Sequence, residues 1–121
     1  MTQLAPIPSD FTSAVATREF ELVRDAVASK LLVEIGTPVQ DVESLGGTDW
    51  RCPVRFSGGE TTRVQSACGV DSFQALHLAF RLVQVELDRL TKDEQATQVL
   101  FLGAAYDADT HLPIGAPGLL L

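Results

Sequence analysis

The chain has only two cysteines, Cys52 and Cys68, and no Cys-x-x-Cys spacing. A disulfide framework needs more thiols and a structural zinc site needs closer ones, so neither is expected and both thiols read as reduced. Basic residues are scarce: nine Lys and Arg stand against sixteen Asp and Glu, a formal charge of −7. Nucleic acid and anionic membrane both require a basic footprint, so neither is expected as a partner. No apolar run approaches the ~20 residues of a membrane span. The first fifteen residues, MTQLAPIPSDFTSAV, have no positive stretch and no continuous apolar core, so no signal peptide is expected there. Walker and Gly-x-Gly-x-x-Gly sequences are absent, and no carboxylates pair in an apolar run. No cofactor and no acid–base pair is therefore expected. Cys52, Cys68, His77 and His111 have no metal-ligand spacing, and Asp107 and Asp109 lack the Gly and Glu that complete a calcium loop, so no metal is expected either.

What remains is a chain of 121 residues, 45% apolar and 21% charged. These are the proportions of one soluble, cytoplasmic domain with enough core to fold without staples. Its organising stretch is Gly69 to Leu90, GVDSFQALHLAFRLVQVELDRL. Asp71 sits at an N-cap position and Gln74 follows three residues later, as in a capping box. Phe73, Leu76, Phe80, Val83, Leu87 and Leu90 recur at spacings of three and four, which predicts one buried helical face. Ala75, Leu78, Ala79, Leu82 and Val85 widen the apolar arc beyond the roughly 100° a surface helix needs. Either the C-terminal segment or a second copy of the chain should cover that flank, and Leu78, Leu82 and Val85 are the candidate interface.

Before the helix the pattern is that of strands. Arg18-Glu19-Phe20-Glu21-Leu22 alternates, as do Leu31, Val33 and Ile35 against Leu32 and Glu34. Alternation favours two strands joined near Asp25 to Ser29 over a helix at 17–31, although no Gly marks the turn. Residues 39–48 read as an acidic loop. In DWRCPVRFSGGETTRVQSACG, Trp50, Cys52, Val54 and Phe56 form a core face for Phe73, Leu76 and Phe80 to cover. Arg51, Arg55 and Arg63 fall on the other face, opposite Glu19, Glu21 and Glu34. Ser57-Gly58-Gly59-Glu60 is a hairpin turn. Pro53 implies an edge strand or a missing amide turned outward. Residues 98–102 read as a last strand and 104–121 as coil, with Leu119, Leu120 and Leu121 either against the helix flank or loose.

The succession ATREFEL, IGTPVQD, DWRCPVRFSG, CGVDSFQALHLAF, LFLG and LPIGAP resembles the bacterial domain of unknown function DUF6968, over roughly residues 16 to 117. The resemblance favours strands over a helix at 17–35. It implies no activity, cofactor or catalytic residue.

The expected fold is α+β, an antiparallel meander of four to five strands with one long helix across one face. Residues 1–15 are expected as a loosely ordered arm, 16–117 as the domain and 118–121 as a tail. Trp50, Cys52, Asp71, Phe73, Gln74 and Phe80 are assigned structural roles. No catalytic residue is assigned. Cys68 precedes the helix, where the dipole would activate a thiol, but His77 lies roughly 10 Å further along the axis on the solvated face. The leading function is a non-enzymatic protein-binding or accessory module; a homodimer is the second. The third is a ligand-binding or enzymatic domain with a pocket near Trp50, Cys68 and residues 39–48.

Overall fold

The computed structural model describes residues 3–93 and 97–106. The chain folds as α+β, one antiparallel sheet with a single helix among the described residues. In order the elements are β1 (Ala14–Arg24), β2 (Val27–Gly36), β3 (Val39–Ser44), β4 (Gly47–Gly58), β5 (Thr61–Gly69), α1 (Ser72–Asp93), β6 (Thr97–Phe101) and β7 (Ala104–Ala105). Residues 107–121, including His111 and the terminal leucines, lie outside the described residues.

Among the described residues the sheet has seven strands rather than four to five. The excess has a simple origin. β5 pairs with β4 from Trp50 to Gly58, so it occupies one edge of that strand. β2 pairs with residues 54–58 of β4 and β3 with residues 47–51, so both must share the other edge. β2 and β3 are thus one long ribbon bent at Gly36-Thr37-Pro38, and residues 39–44 are strand where a loop was expected. The register slips between Val39 and Val42, a bulge that breaks the period-two pattern by which strands are read. β7 adds only two residues beside β6.

The same bend accommodates Pro53 in an interior strand. Cys52 and Pro53 have no partner on the β2/β3 edge, because the pairing passes from Val54 to Arg51 across the kink. The missing proline amide therefore falls where the ladder is already interrupted.

β1 and β2 are a hairpin closed by Asp25-Ala26, both with positive φ (51° and 64°). That is the type I′ pattern, whose twist matches the strands it joins. It is achieved without glycine, so Ala26 holds a left-handed conformation that its Cβ disfavours. The β4–β5 hairpin uses Gly59 at φ 59°. Its two-residue turn sets Arg63 opposite Phe56, on the helix side of the sheet. The expectation that Arg63 lies on the outer face is corrected by that parity: its guanidinium caps the Phe56 ring at 5.0 Å and donates to Glu86 of the helix.

α1 starts over the β5–β4 corner and ends beside β6, crossing the sheet diagonally. Gly69 allows a very close start, since a Cβ there would lie 2.7 Å from the Ala75 amide nitrogen. Close approach needs small residues, and Ala75 and Ala79 are fully buried, with Val83, Leu87 and Leu90 continuing the seam. The buried face is thereby rotated from the one expected. Phe73 is 84% exposed instead of packed on the sheet, Leu76 and Phe80 are half-buried along one flank, and Trp50 is only half-buried. The core proper is Phe20, Leu22, Leu31, Val33, Ile35, Cys52, Val54, Phe56, Val99 and the helix seam.

On the outer face, residues 3–13 have no regular structure but run along the sheet. Ser13 accepts from the Thr37 amide and hydroxyl, Ala5 donates to Glu43, and Phe11 lies under the Arg55 guanidinium at 4.1 Å. Gly36 makes room for this arm: a Cβ there would lie 2.5 Å from the Thr12 hydroxyl and 2.8 Å from the Pro53 ring.

Candidate functional site: an apolar cleft at the start of the helix

The helix start is built by its cap. Asp71 Oδ1 accepts from the Gln74 amide at 2.8 Å, and Gln74 Oε1 accepts from the Val70 amide at 2.8 Å. Gln74 thus reaches one residue further back than the cap itself. This pair fixes the first turn with Val70 and Phe73 pointing to water, at 72% and 84% exposure. Pro38, at the β2–β3 bend, and Trp50, at the start of β4, stand beside them. Together Pro38, Trp50, Ser72, Phe73 and Leu76 line an open cleft of about 320 Å³. Its walls are chiefly apolar, and the Asp71 carboxylate that caps the helix adjoins Ser72 at its edge, whereas Asp49 points to the opposite face of β4 with Arg51 and Cys68.

The second candidate surface is the opposite flank of α1. Leu78 (37% exposed), half-buried Leu82 and Val85 (63% exposed) share a shallow groove with Gln65, Arg81 and Glu86. It runs beside β5, which has β4 as its single strand partner among the described residues. Glu86, nearly buried, closes its wall between Arg63 and Arg89. Burial alone would raise the Glu86 carboxyl, but the hydrogen bonds from the two guanidinium groups outweigh it and hold the carboxyl below its usual range.

The pocket anticipated between Trp50, Cys68 and residues 39–48 is not assembled. Trp50 pairs with Gly69 and Arg51 with Cys68, so Cys68 and Trp50 lie on opposite faces of the sheet. Cys68 instead neighbours Arg51, which is 1% exposed and fully engaged. Arg51 donates to both carboxylate oxygens of Asp41 (2.8 and 3.1 Å) and to the Asp10 carbonyl (2.8 Å) and carboxylate (3.1 Å). The bond to Asp41 raises the guanidinium pKa further against the opposing effect of burial. Every partner here belongs to the chain itself, so the cluster is a clamp joining β3, β4 and the N-terminal arm.

Neither thiol is activated. Burial pushes the Cys68 thiol up, Arg51 pulls it down by less, and Asp49 and Asp41 add to the rise. Burial raises Cys52 to about 11, and its sulfur lies 3.2 Å from the Gly36 carbonyl it donates to. Among the described residues no three His, Cys, Asp or Glu side chains cluster as a metal ion requires. No helix among them is long and apolar enough to cross a membrane.

Residues 16–111 match the model of a family described as a domain of unknown function, DUF6968. No curated protein and no solved structure matches the chain.

Proposed function

The chain belongs to the DUF6968 family, and from that premise we propose that it works as a non-enzymatic protein-binding module whose contact face is the cleft of Phe73, Trp50, Pro38 and Leu76. The observation that carries this reading is the exposed Phe73 ring at the head of a capped, rigid helix. Covering a phenyl ring contributes about 1.5–3 kcal/mol, and aromatic anchors at the centre of a patch dominate protein interfaces. The net charge of −7 selects a partner that presents an apolar side chain within a basic surround. Cys52 and Cys68, free and on opposite faces, suit the reducing cytoplasm.

The test is capture from the native host followed by reconstitution with the purified partner, comparing wild type, Phe73→Glu and Leu102→Glu. Leu102 is equally exposed, at 88%, but lies on the β6–β7 turn. Binding that falls with salt, is lost in Phe73→Glu and persists in Leu102→Glu supports the proposal. A purified partner that binds Phe73→Glu as well as wild type removes it.

A second reading, self-association through Leu78, Leu82 and Val85, is favoured by one observation: that flank borders the edge of β5 that pairs with no strand among the described residues. A second copy could extend the sheet and cover the flank together. Sedimentation at increasing concentration tests this, and a wild-type monomer of the same mass as Leu82→Glu ends it.

A further inference from the structure

The diagonal course of α1 leaves one corner of the sheet open. At that corner Ala16, Thr17, Arg18 and Phe20 of β1, Val33 and Ile35 of β2, and Phe80 and Val83 of the helix enclose a hollow of about 100 Å³. It shares no lining residue with the Phe73 cleft. Its walls are chiefly aliphatic and aromatic, and the charged residue among them is Arg18. Arg18 is two residues before Phe20 and four before Leu22 on the same face of β1, and so turns inward with them. Its guanidinium stacks on the Phe101 ring, 4.3 Å from the centroid. Among the described residues its Nη1 is buried without a hydrogen-bond partner, and no ion pair includes it.

Nη1 itself is closed off, but Arg18 as a whole is only partly buried and lines the hollow, and the group that best meets a guanidinium without a carboxylate partner among the described residues is a carboxylate, whose charge-assisted bonds are the strong ones. Apart from Thr17, the rest of the lining offers apolar contact. A 150 Å³ apolar cavity holds a benzene ring, so this one holds roughly four carbon atoms. We infer that the β1–β2 corner is a binding site for a small branched aliphatic carboxylate, with its hydrocarbon end among Ile35, Phe80 and Val83 and its carboxylate on Arg18. Stacking on Phe101 holds the guanidinium in place, so little side-chain freedom is lost on binding. The site goes beyond protein binding through the Phe73 cleft and stands or falls separately from it.

The experiment is an NMR titration of the full chain with isovalerate, with 3-methyl-1-butanol as the uncharged isostere and acetate as the charge without the body. Isovalerate should saturably shift the amides of residues 16–18, 33–35 and 80–83 in the millimolar range, and both controls should bind at least roughly tenfold more weakly. Arg18→Gln should lose the same roughly tenfold or more. Ala16→Leu, at the exposed rim, should block the hollow without touching the core, and keeps the test decisive if Arg18→Gln does not fold. Equal binding of the alcohol would reduce the site to an apolar hole whose arginine is satisfied by water. Equal binding of acetate would reduce it to an unspecific anion contact. No saturable shift, or unchanged binding in Ala16→Leu, overturns the proposal.

Discussion

Arg51 and Arg18 stand on opposite faces of one sheet, and each has guanidinium nitrogen shut away from water. Arg51 is met on every side: two oxygens of Asp41, and the carbonyl and carboxylate of Asp10. Arg18 is met by a ring face, and its Nη1 by no hydrogen-bond acceptor among the described residues. Satisfied buried charge fixes structure, because each bond ties a segment to the sheet. A guanidinium with no carboxylate partner among the described residues fixes nothing in this way, and its charge is left for a ligand to meet. The contrast separates the outer face, covered by the chain's own arm, from the helix face, where clefts remain open.

The sharpest way to break this comparison is to remove the clamp. Arg51→Ala leaves Asp41 without its bidentate partner and releases residues 3–13 from the sheet. A cost of about 2–4 kcal/mol is expected, at or below the range for a broken buried pair because Asp10 is largely open to water. Denaturant unfolding measures it, and hydrogen exchange should show faster amides around Ala5 and Thr37. A loss below about 0.5 kcal/mol would mean that the arm and the clamp contribute nothing.

The next effect is pH-dependent and concerns Glu86, the acidic counterpart held by Arg63 and Arg89. Its folded-state pKa lies below the unfolded value of 4.5. The stability it contributes is therefore fully present above about that pH and is lost as pH falls through the folded value. Glu34, lowered chiefly by its hydrogen bond from Arg55, acts in the same direction. Stability should be flat near neutrality and fall in acid. Glu86→Gln should lower it by about 1–2 kcal/mol at pH 7, discounted for the half-open arginines, and flatten the acid slope. An unchanged acid slope in that variant would place the titrating group elsewhere.

A smaller effect, of opposite sign, is expected at the β1–β2 turn, where Asp25-Ala26 replaces the glycine usual at such positions. Ala26→Gly relieves the left-handed strain and should stabilise by about 0.5–1 kcal/mol after the entropic cost of glycine. This turn also shows how much of the fold was legible in the sequence. Alternation in 18–22 and 31–35 gave both strands, yet the turn between them carried no punctuation, because its conformation is imposed by strand pairing rather than by its residues. The helix was legible from its cap and periodicity. Its buried face was not, because an apolar arc running from Phe73 round to Val85 is compatible with more than one rotation. The choice was made by Gly69, Ala75 and Ala79, small residues that allow close approach and leave Phe73 outside. β3 was read as a loop because the bulge between Val39 and Val42 breaks its period. Of the candidate sites, the Phe73 cleft follows from that rotation and had no sequence signal of its own. Arg18 had one: it shares parity with Phe20 and Leu22, which marks an arginine on a core face.

The smallest effect is also the one that discriminates most between the two arginines. Arg18→Met keeps the length and apolar body of the side chain, retains a favourable sulfur–ring contact with Phe101 and removes the unmet donor. If the guanidinium were structural, its loss should cost as much as a broken hydrogen-bonded charge. Because it bonds to nothing within the described fold, stability should instead change by less than about 0.5 kcal/mol, or rise slightly, since replacing an unsatisfied polar group by an apolar one of similar shape is neutral or better. Urea midpoints of Arg18→Met and Arg51→Met, taken side by side, decide the matter. Arg51→Met should lose most of what Arg51→Ala loses, because the bonds and not the packing are at stake there. Equal, large losses at both positions would erase the distinction between a clamp and a poised ligand group, and with it the case for a carboxylate site at the β1–β2 corner.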